Sequence, residues 1–380
     1  MLIPISNAPR EYSWGSPTLI PGLEGREPTG RPEAEIWYGD HPGSPSRTAD
    51  GRTLDAVLAD AGAAPLPYLL KVLAAGMSLS IQAHPSKAEA VVGFAREEAA
   101  GIPRDADART YRDANHKPEI IVALSDRFRA LVGLRPLSET RRLLAALPGD
   151  GIAALRERLE GADEPALLRD ALAWALSPDA RGEVKGIIAA LGDAEDDEFG
   201  PELEVLRRIA ADFPGDPGVV VALLMNLVEL RRGEALFAPA GVLHAYQEGL
   251  GVELMAASDN VLRGGLTPKH VDVAELLRIV DTTPGPAPVV TPVSVEGVDS
   301  YDVGIEDFSL LRTSVARGAE RRLPVTGPTI VLAVRGEVVL DTPGGSATLV
   351  PGAAAFVSAD EGELRLGGEG EVFLARPGVH

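Results

Sequence analysis

The chain reads as α+β: a β-rich domain interrupted by an all-helical insert and followed by a second, C-terminal β-domain. Three observations predict this. The 380 residues exceed one ordinary domain, so two or three are expected, with length enough for sizeable cores. From 135 to 232, Leu and Ala recur at helical spacing, whereas the flanking stretches alternate short apolar runs with Gly, Pro and Asn turns. The Pro-rich run DTTPGPAP, Asp281 to Pro288, reads as a linker. The expected division is 1–134 with 233–284 as one domain, 135–232 as the insert, and 285–380 as the C-terminal domain.

In the first stretch, Tyr12 to Ser16 and Glu35 to Pro42 hold two of the three tryptophans among turn residues. Trp beside polar groups lines sugar pockets as well as cores, so Trp14 and Glu35 count as substrate-binding candidates. Leu54 to Gly62 reads as a short helix, and Tyr68 to Leu73 as a strand with Lys71 set in it. In LSIQAHPSK, strand alternation puts Ser80, Gln82 and His84 on one face. Polar groups on an apolar strand cost desolvation unless something binds them. Ala88 to Ala100 reads as a helix. In NHKPEIIVAL, Lys117 and Glu119 share a face, and His116 points away.

The insert shows Leu168, Leu172 and Ala175, then Leu203, Leu206 and Ile209, at helical spacing. Asp216-Pro217 looks like an N-cap with proline in the first turn, opening a helix from Val219 to Leu230. The insert carries no catalytic groups of its own. After it, GEALFAPAGVLH reads as a short strand, a turn at Pro239–Gly241, and His244 opening the next strand. A helix is expected from Pro268 to Val280. In the C-terminal domain, short strands are expected at Thr329 to Leu340, Ser346 to Val350, Ala353 to Val357, Glu363 to Leu366 and Glu371 to Ala375. This fits a small jelly roll, without a metal.

Composition limits function. The formal charge of −20 argues against a nucleic-acid or anionic-membrane surface. No cysteine is present, so any metal must be held by His, carboxylate, amide or water. The N-terminus has no signal-peptide pattern, and the apolar run Val219 to Leu227 is too short to span a bilayer, so the expected location is the cytoplasm. Only five residues are lysine: Lys71, Lys87, Lys117, Lys185 and Lys269. Four of them fall in the motif-bearing stretches. No oligomeric state follows from the chain, and a monomer is compatible with it.

Gly233, then Pro239-x-Gly241 and His244, follow the second metal motif of the cupin barrels, and QAH is their first motif with Gln in place of the first His. Gln82, His84, Glu119 and His244 form a set suited to zinc, and less exclusively to iron or manganese. The combination SIQAHPSK, NHKPE, PAGVLHAY and SDNVLRGGLTPKH resembles type I mannose-6-phosphate isomerase, the zinc-dependent phosphomannose isomerase family, over almost the whole chain. The resemblance implies a cupin-type jelly-roll catalytic domain and one zinc per chain on Gln82, His84, Glu119 and His244. It further implies Arg263 as catalytic arginine, Lys117 in the active site, and Ser80, Lys71, Tyr246, Asp259 and Lys269 around the substrate. The expected reaction interconverts mannose 6-phosphate and fructose 6-phosphate through a cis-enediol. Lys117, its pKa lowered by a zinc dication, and Asp259 are rival bases. Lys71, Lys269 and Ser80 are candidates for the phosphate. An iron-dependent cupin enzyme and a non-catalytic sugar-phosphate-binding protein are the alternatives. His41 and His116 are expected not to be ligands.

Overall fold

The computed structural model describes residues 1–192 and 194–378. It is built from two antiparallel sheets and a block of helices. The strand His244–Ala256 organises the first sheet. Its second half lies between Tyr68–Ala75 and Glu119–Ala123, and its first half pairs with Ile81–Ala83 and Phe128–Leu134. The corner falls at a register shift between Tyr246 and Glu248, beside Gly249. A Cβ at Gly249 would stand 2.7 Å from Phe128, and φ there is 120°, so the bend needs glycine. The bend brings residues from both halves of one strand onto a shared interior.

The helices run from Leu137–Ala145 to Gly218–Leu223. Their apolar faces, with Leu143, Leu168, Leu172, Ile187, Leu206 and Ile209, form one core with Ile81, Leu131 and Leu243 of the sheet. The helical reading fails at its end. The helix expected from Val219 to Leu230 stops at Leu223, and Met225–Leu230 is a strand paired with Phe128–Leu134. The available partner strand decides, since β-pairing depends on context more than on local propensity. Nor is Asp216 the cap residue, which is Pro217. Its carboxylate instead accepts from the backbone N–H of Gly218, Leu266 and Thr267, tying the helix start to the loop after Arg263. The helix expected from Pro268 begins only at Val273, capped by Asp272, which accepts from Glu275 N.

The second sheet orders Val293–Val295, Val298–Tyr301, Ser309–Val315, Glu363–Arg376, Thr329–Thr342, Ala354–Val357, Leu2–Ser6 and Arg47–Thr48. Three features depart from expectation. Glu363–Arg376 is one strand rather than two. The first residues of the chain, assigned to the first domain, pair instead with Ala354–Val357 of the C-terminal sheet, Leu2 against Val357 and Ile5 against Ala354. Conversely, Val289–Val290 pairs with Leu236 and Ala235 in the first sheet. These exchanges stitch the two ends of the chain together.

One contact sets the strand that carries Arg263. Gly265 has φ of 120°, and a Cβ there would lie 2.4 Å from the Cα of Gly218. Gly265→Ala should therefore cost about 3 kcal/mol or more, because backbone cannot move aside as a side chain can. At Gly264 the added carbon would meet only side chains, Ile81 at 3.1 Å and Leu243 at 3.5 Å. Gly264→Ala should cost about 1 kcal/mol. Urea denaturation of both variants checks this; equal losses would contradict the close-approach argument.

Candidate metal centre and substrate cavity

Register places the polar residues. His244 and Arg263 both stand opposite Gln82, one on each neighbouring strand, so these three side chains share a face. Glu119 opens its strand opposite Met255. His84 lies just past Ile81–Ala83 and is fully buried. One ligand atom from each of His84, Glu119 and His244 lies within 4.8 Å of the others. His84 Nε2 is 3.3 Å from Glu119 Oε1, and His244 Nε2 is 3.2 Å from Glu119 Oε2.

The two rings are held from behind. The carbonyl of Asn260 lies 2.7 Å from His84 Nδ1, and that of Val242 lies 3.0 Å from His244 Nδ1. A carbonyl only accepts, so each Nδ1 carries the proton and each Nε2 presents a lone pair. Burial, with the charge of Lys117, pushes the His84 imidazolium down to about 4, so the ring is neutral at pH 7. Burial pushes the Glu119 carboxyl up, but the charge of Lys117 beside it holds it well below the usual carboxylate range. Two imidazole lone pairs therefore converge on an anionic carboxylate, and His84 Nε2 is buried without a hydrogen-bond partner. Such a cluster is incomplete without a cation. Its donor set fits a zinc ion, and the carbonyl contacts are those that orient ligating imidazoles.

A cavity of about 450 Å³ opens beside the cluster. Trp14, Glu35, Lys71, Ser80, Gln82, Lys117, Glu119, His244, Tyr246, Asp259, Arg263 and Lys269 all reach its wall. Of the residues predicted to build the site, His84 alone lies behind the wall. Lys117 Nζ is 2.8 Å from Glu119 Oε1. Gln82 Nε2 donates to Ser80 Oγ at 3.2 Å, which leaves its amide oxygen free of that contact. Tyr246 is buried edge-on to Phe128.

Lys71 is already engaged. It lines the cavity, but its ammonium lies 3.0 Å from Glu253 and 3.5 Å from Glu35. Two buried carboxylates already neutralise it, so it is poorly suited to grip a phosphate. Glu35 also accepts from Trp37 Nε1 at 2.8 Å. Sequence reasoning assigned no role to Glu253, although it stands directly opposite Lys71 on the neighbouring strand. Burial raises its carboxyl above the usual range against the pull of Lys71. A glutamate in the apolar run GLGVELMA was the available signal.

Arg263 and Lys269 behave oppositely to Lys71. Neither has an ion-pair partner among the described residues. Burial and the charge of Arg112 push Arg263 down; burial and the charges of Arg263 and Arg112 push Lys269 down. This end of the cavity gains from an anion. Asp259, half-exposed, sits 3.4 Å from His41 Nε2, and that contact holds its carboxyl low. His41 Nδ1 accepts from Gly43 N, and His116 Nε2 lies 2.7 Å from Asp307. Both histidines are engaged elsewhere. His116→Ala should leave metal content unchanged by elemental analysis; loss of metal in a folded variant would place His116 in the ligand shell.

Residues 2–137 match the family model of the type I phosphomannose isomerase catalytic domain. Mannose-6-phosphate isomerase of Salmonella typhimurium is 37% identical over 392 aligned residues, covering 96% of this chain and 97% of the relative. The human mannose-6-phosphate isomerase is 31% identical, covering 95% and 94%. A crystal structure of mannose 6-phosphate isomerase with zinc bound superposes with a TM-score of 0.88 at 34% identity, covering all of both chains. Relatedness over the full length, joined to the cluster and cavity described above, establishes that the chain belongs to the mannose-6-phosphate isomerase family.

Proposed function

We propose that the chain interconverts mannose 6-phosphate and fructose 6-phosphate with one zinc ion held by Gln82, His84, Glu119 and His244 in a cupin-type jelly-roll barrel. The observation that carries the reading is the His84–Glu119–His244 cluster, sharing one cavity with two unpaired cations. Bound there, zinc supplies a Lewis acid for the oxygens on carbons 1 and 2 of the open sugar.

The remaining work falls to side chains. Isomerisation takes a proton from carbon 2 and returns one to carbon 1. Lys117, buried and beside the ligand set, and Asp259, engaged with His41, are the two candidates for this transfer. Glu253, paired with Lys71 on the cavity wall, is a second buried carboxylate whose hold on a proton burial strengthens. Arg263, in register with Gln82, stands where negative charge develops on the sugar oxygens. Lys269, further along the same loop, suits the phosphate dianion. The chain is strongly acidic, so this attraction has to be local.

A coupled assay of the purified chain with mannose 6-phosphate tests the reading. Turnover is expected, with phosphate-free mannose converted at least about a hundredfold less efficiently, since the phosphate grip contributes binding that the free sugar lacks. Absence of turnover by zinc-loaded protein would overturn it.

A further inference from the structure

The C-terminal sheet encloses a second cavity, far in sequence from the ligand cluster. It has a volume of about 320 Å³ and is lined by Val298, Leu311, Leu323, Val325, Leu364 and Leu374. That volume lies at the lower end of small-molecule sites. Val293 and Val295, at its rim on an edge strand, are 65% and 63% exposed. Apolar surface of this kind is unfavourable in water unless something covers it.

One charged residue breaks the apolar lining. Along Glu363–Arg376, Val372 and Leu374 face the core of this sheet, whereas Phe373 and Ala375 face the core shared with the first sheet. By that alternation Arg376 continues the inward row. It lines the cavity, its Nε is buried without a hydrogen-bond partner, and burial holds its guanidinium below the ordinary range. Ser300 and Thr329 are the other polar residues of the wall. A guanidinium in an aliphatic pocket, with no carboxylate partner among the described residues, leaves a charge to be matched. Guanidinium forks match carboxylates in shape and charge.

We propose that this cavity binds an aliphatic carboxylate, with its alkyl chain among the valines and leucines and its head group on Arg376. The assignment is independent of the isomerase reading, because none of these residues touches the substrate cavity.

Calorimetric titration of the full-length, zinc-loaded protein with octanoate tests it, with octanol and octylamine as controls. One saturable octanoate site is expected, weakened about tenfold or more by Arg376→Met and less by Arg376→Lys. Octylamine should not bind, and isomerase activity should be unchanged in both variants, which reports that they fold. Three results would overturn the proposal: no saturable octanoate binding, equal affinity in wild type and Arg376→Met, or octanol binding as tightly as octanoate. So would a fourth. If sedimentation shows a dimer that Val295→Asp dissolves, and octanoate does not compete with it, the valine face belongs to a second copy of the chain.

Discussion

Replacing Glu119 by Gln will strip the metal and lower isomerase turnover by about three orders of magnitude or more, the scale expected when a Lewis acid is lost. The reason lies in the geometry. Glu119 is the carboxylate between two imidazole nitrogens, at 3.3 and 3.2 Å, and it also neutralises Lys117 at 2.8 Å. Gln keeps the shape and removes the charge, so neither the cation nor Lys117 has its counter-ion. Metal content by elemental analysis should fall well below one ion per chain. His84→Ala should act in the same direction by removing one neutral nitrogen donor. Retained metal with lost turnover would make Glu119 a catalytic group and not a ligand.

Arg263→Gln and Lys117→Gln should each lower kcat by about two to four orders of magnitude, with little change in KM. Lys269→Met should instead raise KM more than it lowers kcat, because a phosphate grip is largely uniform binding. Phosphate-free mannose separates the two groups: it should keep its dependence on Arg263 and lose its dependence on Lys269. Lys71→Met belongs with neither. It would leave Glu253 and Glu35 buried without their cation, so its first effect should be a stability loss of about 3–5 kcal/mol. If Lys71→Met folds normally and only raises KM, Lys71 is a phosphate residue after all, and the pairing with Glu253 is secondary.

The contrast between Lys71 and Lys269 shows what a sequence can carry. The convergence of His84, Glu119 and His244 was legible because each sits in a short motif, and the family resemblance of those motifs brings them together. Lys71 was legible as a cation set in an apolar strand, but its partner stands 182 residues away and is brought opposite only by strand register. The docking of Leu2–Ser6 on the C-terminal sheet and the strand Met225–Leu230 were hidden for the same reason. Both depend on which edge is free once the rest has folded. The strands before Thr329, such as Val298–Tyr301 and Ser309–Val315, mix polar and apolar residues too evenly for clear alternation.

Zinc titration of chelated wild-type protein tests the central claim most directly. The account predicts an inactive apoprotein whose isomerase activity rises linearly with added zinc and stops rising at one ion per chain. It also predicts no such recovery in Glu119→Gln. Full activity in protein shown by elemental analysis to carry no metal, or recovery in Glu119→Gln at the same stoichiometry, would contradict it.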